Sequence, residues 1–424
     1  MTGMNGEPWT HSVVVPAITA PSSVACLRTL GRRDIRTIVV SEDETAPALR
    51  SKYCDEAVPV PDPHEDLVAY KDALLAVATR SDVQTIIPVR DVDVYVLAKY
   101  RSEFADHVAT PWPDMDTLAS AQDRIRLFDA AEEAGVGVPE TGVLRSDSGP
   151  DPGPNPASNA AHDANRTWDQ EWIVKARYAV LADEYLDDYG PRQYVDPPKT
   201  EYLSPGTEPD IDALTQEMGH QPLLQEYVPV TDEYGFFALY DHGEPVATFQ
   251  HRQIRGYSYA GGASSYRESV RIPALEEAGR DLLEHLDWHG LAMVEFLRDE
   301  DGEFKLMEIN PRFWSSLPFS VQAGADFPYY YWQLATGDRE AIEHSYQADI
   351  AGHLLRGELL YLYSILFDDV ELAEKPSFTG SLSEILSSIG RETRFDYASL
   401  DDPRPFVRDL RNAYQYYKEK ESVK

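Results

Sequence analysis

The stretch LAMVEFLRDEDGEFKLMEINPRF, residues 291–313, constrains the fold of this chain more than any other. Two runs of alternating apolar pattern flank an Asp-Gly pair, the strongest short-range signal for a β-hairpin. With Asp301-Gly302 as a two-residue type I′ turn, Glu295 falls directly opposite Glu308. Alternation then sends Val294, Phe296, Met307 and Ile309 to a core face, and Glu295, Leu297, Leu306, Glu308, Asn310 and Arg312 to the opposite one. Facing Cβ atoms lie about 4.5–5.5 Å apart in such a pair, so two carboxylates there repel unless a cation sits between them.

The residues leave two readings open. The ribbon is either one more acidic surface hairpin in an acidic protein or the seat of a divalent cation. Asn-Pro-Arg directly after Glu308 and Ile309 favours the cation, because proline ends the ladder where Asn310 and Arg312 would have to turn inward. Oxygen-only ligands from Glu295, Glu308 and Asn310 suit Mg²⁺ or Mn²⁺. Arg312, on the same face, would reach a phosphoryl oxygen or a substrate carboxylate.

The 424 residues are enough for two to three domains, and the 42% hydrophobic content is enough for a core in each. Residues 11–112 alternate short β-branched runs (VVVPA, TIVV, EAVPVP, QTIIPV) with helix-like stretches, the pattern of parallel βαβ units. The turn after the first strand reads Ala17-Ile18-Thr19-Ala20-Pro21. It lacks the GxGxxG of close pyrophosphate approach, so the expectation is a Rossmann-like sheet without a dinucleotide. A helix is predicted over residues 122–135, a polar insert without hydrophobic period over 146–165, and a low-order stretch, a lid or simply a long loop, over 186–208. From Pro222 the pattern changes to antiparallel hairpins, FFALY-DHGE-PVATFQHR being the first. After about Gly337 it becomes helical and polar, a tail expected to pack on the other domains.

A formal charge of −35, from 38 basic and 73 acidic residues, excludes nucleic-acid binding through bulk charge. Spread along the whole chain, it points to a salt-adapted, halophilic protein. Cys26 and Cys54 form no CxxC and are expected to stay reduced in a core. No run approaches the roughly 18 apolar residues of a membrane span, so the protein is expected to be cytoplasmic with no membrane partner. Within that negative charge, His251, Arg252 and Arg255 cluster ahead of Gly261-Gly262-Ala263-Ser264-Ser265. An anionic ligand would account for them, as would a hairpin whose arginines pair with neighbouring acids.

Glu295 in LAMVEF with Glu308, Asn310 and Arg312 in LMEINPRF resembles the metal-binding hairpin of the ATP-grasp superfamily. The resemblance spans about residues 11–340. It implies an ATP-grasp fold of mixed α/β and α+β class: a Rossmann-like pre-ATP-grasp domain (1–112), a small subdomain with the adenine linker (113–230), a metal-binding subdomain (231–340) and a helical C-terminal extension (341–424). It implies ATP and Mg²⁺ (or Mn²⁺) held by Glu295, Glu308 and Asn310. PLLQEYVPV is similar to the family's linker, which would put the Glu226 C=O and the Val228 N–H on adenine, and Glu233 on the ribose. Lys175 in EWIVKARY resembles the phosphate-binding lysine. Arg124 stands where the family often has a second lysine, and the Gly-rich loop usual after the first lysine reads ARYAVLADEY here.

The R-x-x-R and GG-x-SS pattern of residues 252–265 resembles the carboxylate–amine ligase subgroup, which is D-aspartate-ligase-like and of the carbamoyl-phosphate-synthase type. That resemblance implies activation of a carboxylate as an acyl phosphate and its capture by an amine, with Arg312, Arg255 and His251 stabilising the tetrahedral oxyanion and Gly261, Gly262, Ser264 and Ser265 forming a substrate or phosphate loop. A bicarbonate-activating enzyme of the same fold and a non-catalytic nucleotide sensor are the alternatives. Many members are dimers, so a homodimer is among the assemblies left open.

Overall fold

The computed structural model describes residues 10–145, 168–368 and 374–422. The insert expected over 146–165 lies outside them.

Four short strands, β1 (Ser12–Pro16), β2 (Arg36–Ser41), β3 (Glu56–Pro59) and β4 (Val83–Ile86), pair in parallel in the order β3-β2-β1-β4. Helices cover both faces, which is why β1 and β2 read as unbroken buried runs rather than alternating ones. The helix Leu67–Ala78 starts where the Asp66 side chain accepts from Ala69 N–H at 3.0 Å. The helix Asp91–Lys99 starts where Asp93 takes the N–H groups of Val89 and Arg90. Strand order reverses between β1 and β4, so the helices Ser22–Gly31 and Asp91–Lys99 leave their carboxyl ends in different directions and open a crevice there.

A small antiparallel sheet follows, β5 (Thr141–Val143), β6 (Trp172–Lys175), β9 (Glu201–Leu203) and β10 (Leu223–Glu226), in the order β5-β10-β6-β9. A two-stranded ribbon, β7 (Leu181–Ala182) with β8 (Tyr194–Val195), packs through Ala182 and Tyr194 on the core of the first domain. The region expected to be low in order, 186–208, thus contributes β8 and β9.

The largest sheet is antiparallel and six-stranded: β11 (Val230–Asp241), β12 (Glu244–Ser258), β13 (Gly261–Ser269), β14 (Gly290–Asp299), β15 (Phe304–Asn310) and β16 (Ala351–His353), in the order β15-β14-β11-β12-β13-β16. Its two faces are distinct. Phe236, Ala238 and Tyr240 of β11, with Val294, Phe296, Leu306 and Ile309, pack against Leu275 and Leu282 of the helix Pro273–His285. Their neighbours Phe237 and Leu239 pack with Phe249, Trp314 and Phe319 onto Val13, Val24 and Leu27 of the first domain. Each fully buried aromatic or aliphatic side chain in these layers stabilises the fold by about 1.5–3 kcal/mol. The second face opens into a cleft where that packing ends.

Three expectations are corrected. The β14–β15 connection is a three-residue loop with Gly302 at φ +88° and Glu303 N–H on Asp299 Oδ1, not a two-residue turn on Asp301-Gly302. A bulge at Met307 then shifts the register back, so Glu295 still faces Glu308. The bulge also exchanges two side chains: Leu306 is in the core and Met307 lines the cleft.

Secondly, the Gly-Gly segment is no loop. Residues 261–269 form strand β13, and Tyr259-Ala260 is the turn before it.

Thirdly, the tail is not helical throughout. Beyond residue 340 it supplies the edge strand β16, so a boundary there cuts through a sheet. Besides packing apolar surface, the tail is pinned by three buried ion pairs, Arg28 Nε–Asp402 at 3.1 Å, Arg255–Glu358 at 2.7 Å and Arg267–Asp396, and by a partly buried one, Arg356–Asp409 at 3.3 Å. No helix among the described residues is long and apolar enough to cross a membrane.

Candidate active site

One row of the large sheet builds the floor of the site. Pairing runs Glu308–Glu295–Gly235–His251 across β15, β14, β11 and β12, which puts all four on the face that opens into the cleft. Gly235 keeps that row low: a Cβ there would meet the Phe237 ring at 2.4 Å and stand 3.4 Å from His251 Nε2. The cleft has a volume of about 840 Å³ and takes walls from all three large sheets and their loops.

The three oxygen-bearing side chains converge. Asn310 Nδ2 donates to Glu295 Oε1 at 3.1 Å and to Glu308 Oε1 at 3.2 Å. Arg124 Nη2, at the start of the helix Arg124–Glu133, lies 3.3 Å from Glu308 Oε2. Lys175 ends β6 inside the same cleft, and Arg312 Nη2 donates to Asn310 Oδ1 at 2.8 Å. Asp91 fixes Arg312 from the first domain, accepting from its Nε at 2.8 Å.

Electrostatics follow from that crowding. Burial, then the charge of Glu308, pushes Glu295 up to about 8. Glu308 feels the same burial, yet Arg124, Lys175 and the Asn310 amide outweigh it and hold Glu308 below the usual carboxylate range. Burial and the neighbouring Arg124 bring Lys175 down to about 7. The carboxylate pair therefore shares one proton near neutrality.

A raised folded-state pKa means that the native state binds more protons than the unfolded chain between about 4.5 and 8. Stability from this group is full below that window and lost as pH rises through it. Glu295→Gln, without metal or nucleotide, is accordingly expected to melt like the wild type at pH 5 and about 2–5 °C higher at pH 9. Parallel melting curves at every pH would reject the shared proton.

Of the residues expected in the site, Lys175, Glu226, Val228, Glu233, His251, Gly262, Ser264, Glu295, Glu308, Asn310 and Arg312 line the cleft, and Arg124 touches Glu308. Glu226 N–H is already given to Glu140 O at 2.9 Å, whereas the Val228 N–H has no partner among the described residues. Gln253 Nε2 donates to Glu233, and a Cβ at Gly261 would lie 3.4 Å from Glu233 Oε1.

Two residues face elsewhere. Arg255 is consumed by Glu358 and packs on Tyr266 and Tyr361, and Ser265 is fully buried with its Oγ on the carbonyls of Arg255 and Gly256. The basic cluster offers the cleft no cation: Arg252 sits between Asp232 and Glu268, and burial together with Arg267 lowers His251 to about 3, leaving a neutral ring. The cations beside the two glutamates are Lys175, Arg124 and Arg312. Asp91, Met293, Ser22 and Ser316 also line the cleft, and nothing local in the sequence marks them.

Comparison with known proteins agrees with this geometry. Residues 221–352 match the family model described as ATP-grasp in the biosynthetic pathway with Ter operon, and residues 22–110 match that of the PylC-like N-terminal domain. No curated protein gives a significant sequence match.

Among solved structures, the chain is similar to N5-carboxyaminoimidazole synthetase from Staphylococcus aureus complexed with ADP, with a TM-score of 0.60 at 12% identity over 89% of this chain and 97% of that one. It is similar to the biotin carboxylase domain of Hydrogenobacter thermophilus 2-oxoglutarate carboxylase in complex with MgADP and bicarbonate (TM-score 0.57, 15% identity, 80% and 73% covered). It is also similar to the L-amino acid ligase from Bacillus licheniformis (TM-score 0.52, 13% identity, 81% and 79% covered). With its three-sheet fold and paired glutamates, the chain has the ATP-grasp fold, and residues 221–352 carry the match to an ATP-grasp domain.

Proposed function

We propose that this protein is an ATP-dependent ligase that activates a carboxylate as an acyl phosphate and joins it to an amine. The observation that carries the proposal is the convergence of Glu295, Glu308 and Asn310 with Lys175, Arg124 and Arg312 in one cleft.

The donor set fits a hard divalent cation. Two carboxylates that cannot both ionise freely, beside an amide able to turn its oxygen inward, are ligands of the kind Mg²⁺ takes. When bound there, Mg²⁺ would neutralise charge on the nucleotide phosphates. The chain's own residues do the rest. The free Val228 N–H reads the base edge and Glu233 takes the ribose hydroxyls. Lys175 and Arg124 hold phosphate oxygens.

Arg312, braced by Asp91, holds the substrate carboxylate in line with the γ-phosphoryl group. A carboxylate oxygen attacks phosphorus, ADP leaves, and the amine nitrogen then attacks the acyl carbon. Phosphate departs and the ammonium proton is released, leaving the amide. No side-chain nucleophile is required. The chain's two cysteines fit that economy: Cys26 is fully buried, burial pushes Cys54 up to about 11, and neither lines the cleft.

The test is ADP release from ATP·Mg²⁺ by the full chain, with a panel of carboxylic acids crossed with amines and a separate arm of bicarbonate. The assay runs from low to molar salt, because a charge of −35 repels itself at low ionic strength. Release that needs both an acid and an amine is the expected result. Release with bicarbonate alone would replace the ligase by a carboxylating activity, and nucleotide binding without release would leave a sensor.

A further inference from the structure

The far wall of the cleft is the crevice at the carboxyl ends of β1 and β4, lined by Ile18, Ala20, Ser22, Arg90 and Asp91. Most polar groups there are already matched. Arg90 is spent on Glu42, Asp93 and the Tyr70 hydroxyl, and Asp91 on Arg312. The start of the helix Asp91–Lys99 is closed by Asp93.

The helix Ser22–Gly31 is different. It has ten residues, Pro21 in the cap position caps nothing, and no acidic residue stands in its first turn. Its first backbone donor in use is Ala25 N–H, on Pro21 O at 3.0 Å, so the N–H groups of Ser22, Ser23 and Val24 point out of the helix end without an intrahelical acceptor. All three residues are buried. Ser23 Oγ is used, on Pro16 O at 2.7 Å. Ser22 Oγ is not: the residue is 1% exposed, lines the cleft, and its hydroxyl has no partner. A buried hydroxyl and three buried N–H groups left open at the positive end of a helix dipole lack an acceptor.

We propose that Ser22 and the first turn of the helix Ser22–Gly31 bind a second anionic group of the carboxylate substrate, itself a carboxylate or a phosphate, remote from the carboxyl that reacts at Arg312. The substrate class is then an acid carrying at least two negative charges. Helix N-termini hold carboxylate and phosphate oxygens alike through N–H groups and the dipole. The substrate would span the cleft from the ribbon carrying the glutamates to the first domain. The inference rests on the ligase proposal for the identity of the bound molecule, while the anion subsite itself can be probed without turnover.

The experiment compares matched pairs of acids, one with and one without a second carboxylate or phosphate, by ADP release. Expected is a kcat/KM at least about 100-fold higher for the doubly charged member, with the phosphate and carboxylate arms separating the two sources. Ser22→Ala should raise KM for that member about 5- to 10-fold, the loss of one hydrogen bond to an anion. Ser22→Asp, a favourable residue in a first helical turn, brings its own carboxylate to the subsite and should remove the preference altogether. Equal kcat/KM for both members of every pair, or Ser22 variants that slow both members alike, would overturn the proposal.

A fluorescent ATP analogue reports nucleotide binding in each variant separately. Should wild type bind it but turn over no acid, the ligase assignment fails on its own. Thermal protection by inorganic phosphate or succinate then decides the subsite, supporting it if present in wild type and lost in Ser22→Asp, and overturning it if absent.

Discussion

Glu308→Gln is expected to reduce Mg²⁺-dependent ADP release by at least about 10³-fold while the fold survives. Of the two paired glutamates, Glu308 is the one held in its charged form. Arg124 and Lys175 hold it ionised, and Asn310 ties it to Glu295. An amide of the same shape keeps the hydrogen bond to Asn310 and removes the anion. A divalent cation then faces Lys175, Arg124 and Arg312 with a single carboxylate, Glu295, which burial still pushes above the usual carboxylate range. Metal affinity falls for both reasons. The fold survives because the amide keeps the Asn310 hydrogen bond and relief of the Glu295–Glu308 repulsion offsets part of the lost pairing with Arg124. Side-by-side Mg²⁺ titrations of ADP release and a melting curve check both halves, and wild-type turnover in the variant would dismiss the ribbon as the metal seat.

The ribbon was legible in the sequence for a reason that is partly fortuitous. An Asp-Gly turn of two residues and a regular ladder give Glu295 opposite Glu308, and so do a three-residue loop and one bulge at Met307. The one-residue differences cancel at the glutamates and not between them, which is why Leu306 and Met307 are exchanged between faces. Alternating polarity specifies that a hairpin forms. It does not specify where a bulge is absorbed, because Leu and Met are acceptable on either face.

The parallel sheet was readable because buried strands carry continuous β-branched runs, and the antiparallel sheet because β11 alternates between two different cores. Partners distant along the chain were not readable. Arg255 meets Glu358 across 103 residues, and Arg312 meets Asp91 across 221. Nothing local in FQHRQIR indicates that its arginines are neutralised or that burial strips His251 of its proton. A basic cluster read from sequence is a statement about composition, and its field in the folded state depends on carboxylates that only tertiary structure delivers.

Those distant carboxylates make the second large effect an effect on stability. Asp396→Asn is expected to destabilise the protein by about 3–5 kcal/mol, more than truncation of any surface charge would. Arg267 is wholly inaccessible to solvent, Asp396 is its ion-pair partner, and the guanidinium lies 5.3 Å over the Phe319 ring. Without the carboxylate, a permanent charge is left in an apolar layer, since arginine does not shed its proton.

The consequence reaches the site. Arg267 shares the buried interior with His251, and the backbone around Asp396 pairs with His353 on strand β16. Loosening that junction frees the tail and the edge of the six-stranded sheet together. A lower urea midpoint, with early proteolytic release of the segment after residue 350, is the expected readout. The double replacement Arg267→Met with Asp396→Leu, which removes both charges, should recover most of the loss, because the penalty belongs to the unpaired ion and not to the missing bridge. If Asp396→Asn unfolds at the wild-type midpoint, the Arg267–Asp396 pair contributes nothing to the tail's attachment.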